Sequence, residues 1–222
     1  MSGEITGKYL FNSDKCEERN IPNEISGFRK QRFFLLSILF LSLCGTIVFG
    51  TLENPFHYTF SKIGNYFPYR EWYILWAVVI GISVHIASVC LFRIEKYRRK
   101  YAFVCIACAT FFLIVTALIP SIKEEMYFWH IVHKWTTFFY VMSMLVALHP
   151  FVLFLGRTKP LLWVILRNWE LLILLGSMSS LIIQGKTGIF ELWFIIMTIS
   201  LLMYLVVVLY RDKIEKLENR ND

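Results

Sequence analysis

The chain has 222 residues, of which 57% are hydrophobic, 17% aromatic and only 18% charged. That apolar share exceeds the roughly 45–50% of soluble domains and excludes an ordinary soluble globular protein. The formal net charge of +7 does not indicate a nucleic-acid binder, because the excess basic residues flank apolar runs, as topology determinants do.

Residues 1–32 form a polar tail of mixed charge that ends in Arg29-Lys30-Gln31-Arg32. It is expected to be largely disordered, a short amphipathic helix near Ile21 to Phe28 being the weaker alternative. No apolar run precedes a cleavage-type site, so no signal peptide is expected here. Six apolar runs follow, at about 33–52, 72–92, 101–122, 133–155, 161–183 and 189–210. Each approaches the roughly 20 residues that cross a bilayer as a helix. Backbone groups must be satisfied within the hydrocarbon, so helices are expected throughout. The fold class is therefore all-α, an integral membrane bundle of six transmembrane helices between two polar tails, the second at 211–222. Pro150 is expected to kink the fourth span, because it removes a helix hydrogen bond.

Of the 23 Lys and Arg residues, 18 fall in the N-tail, the 93–100 connector, the 156–167 region and the C-tail. Both termini are therefore expected on the cytoplasmic side. The basic run Arg93 to Lys100 is read as a topology determinant rather than a lipid site. Small residues four apart, such as Ala77 and Gly81 or Gly176 and Ser180, allow close helix packing.

The stretch FHYTFSKIGNYFPYREWY, Phe56 to Tyr73, lies between the first two spans. So aromatic a loop should fold against the headgroup layer or the helix ends. Two further connectors share its side, KEEMYFWHIV at 123–132 and QGKTG at 184–188. Together they gather Ser61, Lys62, Gly64, Arg70, Glu125, His130, His133 and Glu191 into a candidate ligand-binding face. Arg70 and Glu191 lie at similar depth, so an ion pair between them is expected, with Glu125 as the alternative acid.

Catalytic signals are weak. His130 and His133 share a helix face and, with His57 and a nearby acid, would suit zinc. HEXXH is absent, and chance histidine pairs are common, so no cofactor is expected and no catalytic residue is assigned. Cys105 and Cys108 match CxxC in letters only and lie inside a span, where thiols act as small hydrophobes. His85 and His149 lie within spans and are read as satisfied core histidines. Arg167 and Glu170, three apart, are expected to pair near the inner interface.

Ser61-Lys-Ile-Gly64, followed by Pro68-Tyr-Arg70 and Trp72, resembles the Ser-x-x-Gly…Pro-x-charged…aromatic pattern of the FRAG/DRAM/SFK group and its uncharacterised bacterial relatives. The resemblance covers roughly residues 33–210. It implies six spans with cytoplasmic termini. It also implies a setting in membrane-lipid biology, since eukaryotic members are linked to GPI-anchor lipid remodelling, phosphoinositide-kinase regulation and autophagy. The reading that follows is a non-enzymatic multi-pass protein whose outer face engages a lipid headgroup or a membrane-protein partner. The alternatives are a metal-dependent lipid or amide hydrolase and a small-solute transporter. The Lys-, Ile- and Phe-rich composition favours a bacterial cytoplasmic membrane, with a eukaryotic endomembrane or plasma membrane as the alternative.

Overall fold

A computed structural model of the protein describes residues 21–185 and 187–220, excluding the side chains of Ile21 and Gln184. The helices are α1 (Ile21–Gly50), α2 (Phe60–Tyr66), α3 (Arg70–Ile94) and α4 (Lys100–Leu118), then α5 (Tyr127–Thr158), α6 (Pro160–Gln184) and α7 (Gly188–Glu218). No strand occurs among the described residues. All except α2 are long and apolar enough to cross a membrane, and they fit a multi-pass membrane protein.

The helices outrun the apolar runs. Ile21 to Phe28 is helical rather than disordered, and it continues directly into the first span, while the rest of the tail expected to be disordered, residues 1–20, lies outside the described residues. The fourth span takes in Tyr127 to Val132, so much of the second connector is helix. The third stops early, at Leu118, because a residue before proline disfavours helix and Pro120 follows Ile119. α5 runs through Pro150 as one helix. Pro160 sits at the start of α6, where its missing N–H leaves no intrahelical bond unmade.

α1 packs on α3 and α7, and α3–α4, α4–α5, α5–α6 and α6–α7 contacts close a ring. α3 and α7 also touch across it. In their most apolar stretches 50% of residues are buried, against 17% in α6, which is therefore the most lipid-facing span. Ala77 and Gly81 lie buried on α3, and a Cβ on Gly81 would meet Thr110 of α4 at 3.3 Å. Close approach of α3 to α4 thus uses the small-residue spacing seen in the sequence.

The two tails leave from one end of the bundle, where Arg29 pairs with Glu218 at 2.7 Å. At that end Lys159 Nζ bridges Glu95 Oε1 at 2.6 Å and Asp212 Oδ2 at 2.8 Å. One ammonium therefore ties the α3–α4 connector, the α5–α6 turn and the end of α7. The basic connector is further pinned by Tyr97, buried against Phe92, Phe151 and Phe154. That burial pushes the Tyr97 phenol up.

Candidate functional site

The opposite end carries the three other connectors. After Gly50 the chain turns through Asn54, whose side-chain oxygen accepts the Phe56 amide at 3.0 Å. Thr59 then caps α2 by accepting the Lys62 amide at 3.3 Å. Phe60 and Ile63 point inward. Phe60 enters a ring cluster with Phe49 of α1 and Trp76 of α3, at centroid distances of 5.6 and 4.9 Å, and Tyr73 stacks on the same two rings. The aromatic loop is thus a plug that closes the bundle on itself. It folds against the helix ends, and Pro68 ends α2 and turns the chain into α3.

Gly64 faces Tyr73 so closely that a Cβ would lie 2.6 Å from the Tyr73 Cβ and ring. Glu191, near the start of α7, reaches over to the plug, and its Oε2 accepts the Phe60 amide at 2.6 Å. The turn before α7 is held there too, since the Ile189 amide donates to the Pro55 carbonyl at 3.2 Å.

The expected Arg70–Glu191 ion pair does not form, nor does Arg70 pair with Glu125. Arg70 Nη2 donates to the Leu118 carbonyl at 2.6 Å, and Nη1 donates to Asn65 Oδ1. His133 is buried, and its Nδ1 donates to the Thr116 carbonyl at 2.9 Å. A helix leaves its last carbonyls without intrahelical partners. At the end of α4, side chains from α3 and α5 satisfy two of them. Asn65 in turn donates to the Ser61 carbonyl at 2.6 Å. Arg70 and His133 therefore hold the scaffold, and Asn65 is the linking residue that sequence reasoning missed. The early stop of α4 before Pro120 was the available signal, since it left carbonyls in need of donors.

His130 Nδ1 lies 3.0 Å from Ser121 Oγ, and the His57 ring packs against Tyr58. Among the described residues no three His, Cys, Asp or Glu side chains gather as a metal site. Ser61 Oγ lies 3.1 Å from Thr59 Oγ1. Lys62 and Glu125 are exposed. The Tyr66 hydroxyl donates to Glu124 Oε2 at 2.7 Å, which clasps α2 to the second connector. This bond holds Glu124 below the usual carboxylate range and pushes the Tyr66 phenol up.

Beneath the plug an apolar groove of about 580 Å³ opens between α1 and α3. Leu41, Gly45 and Val48 line one wall, Leu75 and Val79 the other, and Leu52, Tyr69 and Trp72 its mouth. A Cβ on Gly45 would meet nothing within 4 Å, so the groove is open at that point. Trp72, Tyr127, Phe128 and Trp129 are exposed around this end. Such a girdle matches the aromatic belts of membrane interfaces.

Away from this face, Glu170 does not pair with Arg167. It bonds instead to His149 of α5, with Oε1 2.9 Å from Nδ1. No family model, curated protein or solved structure matches the chain.

Proposed function

We propose that this is a non-enzymatic multi-pass protein that binds a membrane lipid at its loop end. An acyl chain lies in the α1–α3 groove, and the headgroup meets the aromatic rim and Lys62. The observation that carries this reading is the position of the groove. It is almost wholly apolar, it is open to the bilayer at Gly45, and its mouth is set by Tyr69 and Trp72 directly below α2. Lys62 is exposed on α2 and makes no ion pair among the described residues, so its charge is available to a headgroup. Arg70 is not assigned to the lipid, since its guanidinium already serves Asn65 and Leu118.

The positive-inside bias supports a cytoplasmic placement of both tails and an outer-face plug, and the Lys-, Ile- and Phe-rich composition supports a bacterial cytoplasmic membrane. The resemblance of the Ser61-to-Trp72 motif to the FRAG/DRAM/SFK group points to the same lipid setting.

Native mass spectrometry of gently extracted protein tests the reading. The wild type should retain lipid, and Gly45→Leu, whose Cβ meets nothing within 4 Å and whose side chain would occupy groove space, should lose most of it. Lys62→Glu should weaken retention of anionic lipids more than zwitterionic ones. Equal lipid on wild type and Gly45→Leu would overturn the proposal.

A further inference from the structure

A second cavity, of about 450 Å³, lies between α5, α6 and α7 on the lipid-facing side of the bundle. Met144, Leu148, Ile173, Leu174, Phe194 and Leu201 give it apolar walls. Its ionisable lining residues are His149 and Glu170. Glu170 is ten residues into α6 and His149 nine residues before the end of α5. At 1.5 Å per residue the pair lies about 14 Å from those helix ends, and both residues fall within the apolar runs 133–155 and 161–183, each long enough to cross a hydrocarbon core of roughly 30 Å.

An ionisable pair at that depth is costly and marks a functional site by default. The two side chains are not equally enclosed. Glu170 is 18% exposed and His149 56%, so the imidazole borders the lipid while the carboxylate is largely enclosed in the cavity wall. Among the described residues no fixed cation neutralises the carboxylate and His149 is its one hydrogen-bond partner; Arg167 lies exposed one turn away on the same helix, and α7 contributes Phe194, Thr198 and Leu201, none of which titrates. Pro150 adds polarity at the same place. It cannot donate to the Val146 carbonyl, and Val146 lines the cavity.

With no proton on it, the His149–Glu170 pair carries one net negative charge. In an apolar cavity open to the bilayer, that charge suits one class of ligand, and we propose that the His149–Glu170 cavity binds a lipophilic cation that enters from the membrane. The apolar body fills the cavity, and the positive centre sits on the carboxylate. The volume lies within the roughly 300–1,000 Å³ of small-molecule pockets. When the site is empty, one proton shared by the pair balances that charge. A bound cation replaces it, so binding releases up to one proton.

This proposal is independent of the lipid groove, which lies between other helices. The test uses the full chain in phosphatidylcholine nanodiscs with tetraphenylphosphonium as probe. Binding should strengthen as pH rises, because the probe and the pair's proton compete for the same site. It should weaken by about tenfold to a hundredfold in Glu170→Gln, the range of a charge-assisted contact. Dicyclohexylcarbodiimide, a lipid-soluble reagent for protonated carboxyl groups, should label Glu170 when the shared proton rests on it, and the probe, which displaces that proton, should protect it. Equal binding by Glu170→Gln, or by the uncharged analogue tetraphenylmethane, would reduce the cavity to a greasy groove and overturn the proposal. If Glu170→Gln does not fold, the wild type still decides. Binding that ignores pH, or carbodiimide labelling that the probe does not slow, would overturn it as well.

Discussion

The Glu191 carboxylate accepts the backbone amide of Phe60 at 2.6 Å. One side chain at the start of α7 thereby caps α2, whose Phe60 ring plugs the space between α1 and α3. The N-terminal amides of a helix have no intrahelical acceptors, so an acid there does what an N-cap side chain does. Glu191→Ala leaves that amide unpaired and should cost about 1–3 kcal/mol. Glu191→Gln keeps an acceptor and should cost less. Thermal melts in detergent check the order, and hydrogen exchange at Phe60 should quicken in the alanine variant. Exchange unchanged from wild type would show that the contact does not hold α2.

Arg70 has a separate task, so it and Glu191 should not behave as an ion pair. Losses from Arg70→Ala and Glu191→Ala should add to within about 0.5 kcal/mol, as for sites without a shared partner. A coupling well above that in a double-mutant cycle would restore the ion pair.

Arg70→Lys separates the fork from the charge. An ammonium is a compact point donor, whereas the guanidinium reaches Asn65 and Leu118 at once. The lysine variant should lose about 1–3 kcal/mol through the unpaired groups. Its lipid content should match the wild type. Full stability with altered lipid content would return Arg70 to the headgroup.

Gly64 tests the fit of the plug. A Cβ there meets the Tyr73 Cβ and ring at 2.6 Å, and neither can move far on a packed helix. Gly64→Ala should therefore cost about 1–3 kcal/mol by overpacking. Tyr73→Phe in that background should give no relief, because the clash is with the ring and Cβ. Tyr73→Ala should offset part of it. Equal melting of Gly64→Ala and wild type would mean that α2 is loosely seated.

The Tyr66–Glu124 clasp has a definite pH window. Glu124 lies below its ordinary value because the Tyr66 hydroxyl donates to it, and Tyr66 is raised by the same bond. A depressed acid contributes stability above its unfolded pKa and loses it as pH falls through the folded value. A raised phenol contributes below its unfolded pKa and loses it as pH rises through the folded value. The clasp should thus be intact between about pH 5 and 9 and weaken on either side. The Tyr66 phenol, isolated by difference spectra against Tyr66→Phe, should ionise at lower pH in Glu124→Gln. An unchanged titration would show that the bond does not persist in the membrane.

The sequence by itself determined the object. Six apolar runs and the bar on unpaired backbone in hydrocarbon leave little besides a six-helix bundle. An even number of spans puts both tails at one end, and the crowding of aromatics at Phe56 to Tyr73 marks a segment that must pack. These properties are written in composition and period, and no long-range contact is needed to read them. The site was legible only as a neighbourhood. Arg70, His133 and Glu191 do sit at the same end, but matching opposite charges by depth paired Arg70 with Glu191, and matching Arg167 to Glu170 by spacing failed in the same way. Tertiary structure decided otherwise because the competing partners were backbone groups and residues on other helices. The carbonyls left open where α4 stops before Pro120 took Arg70 and His133. The open amide at the start of α2 took Glu191. The way α5 packs on α6 put His149 within reach of Glu170. Unmet hydrogen bonds at helix ends are as demanding as charges in a medium without water, and which side chain meets them depends on how the helices pack.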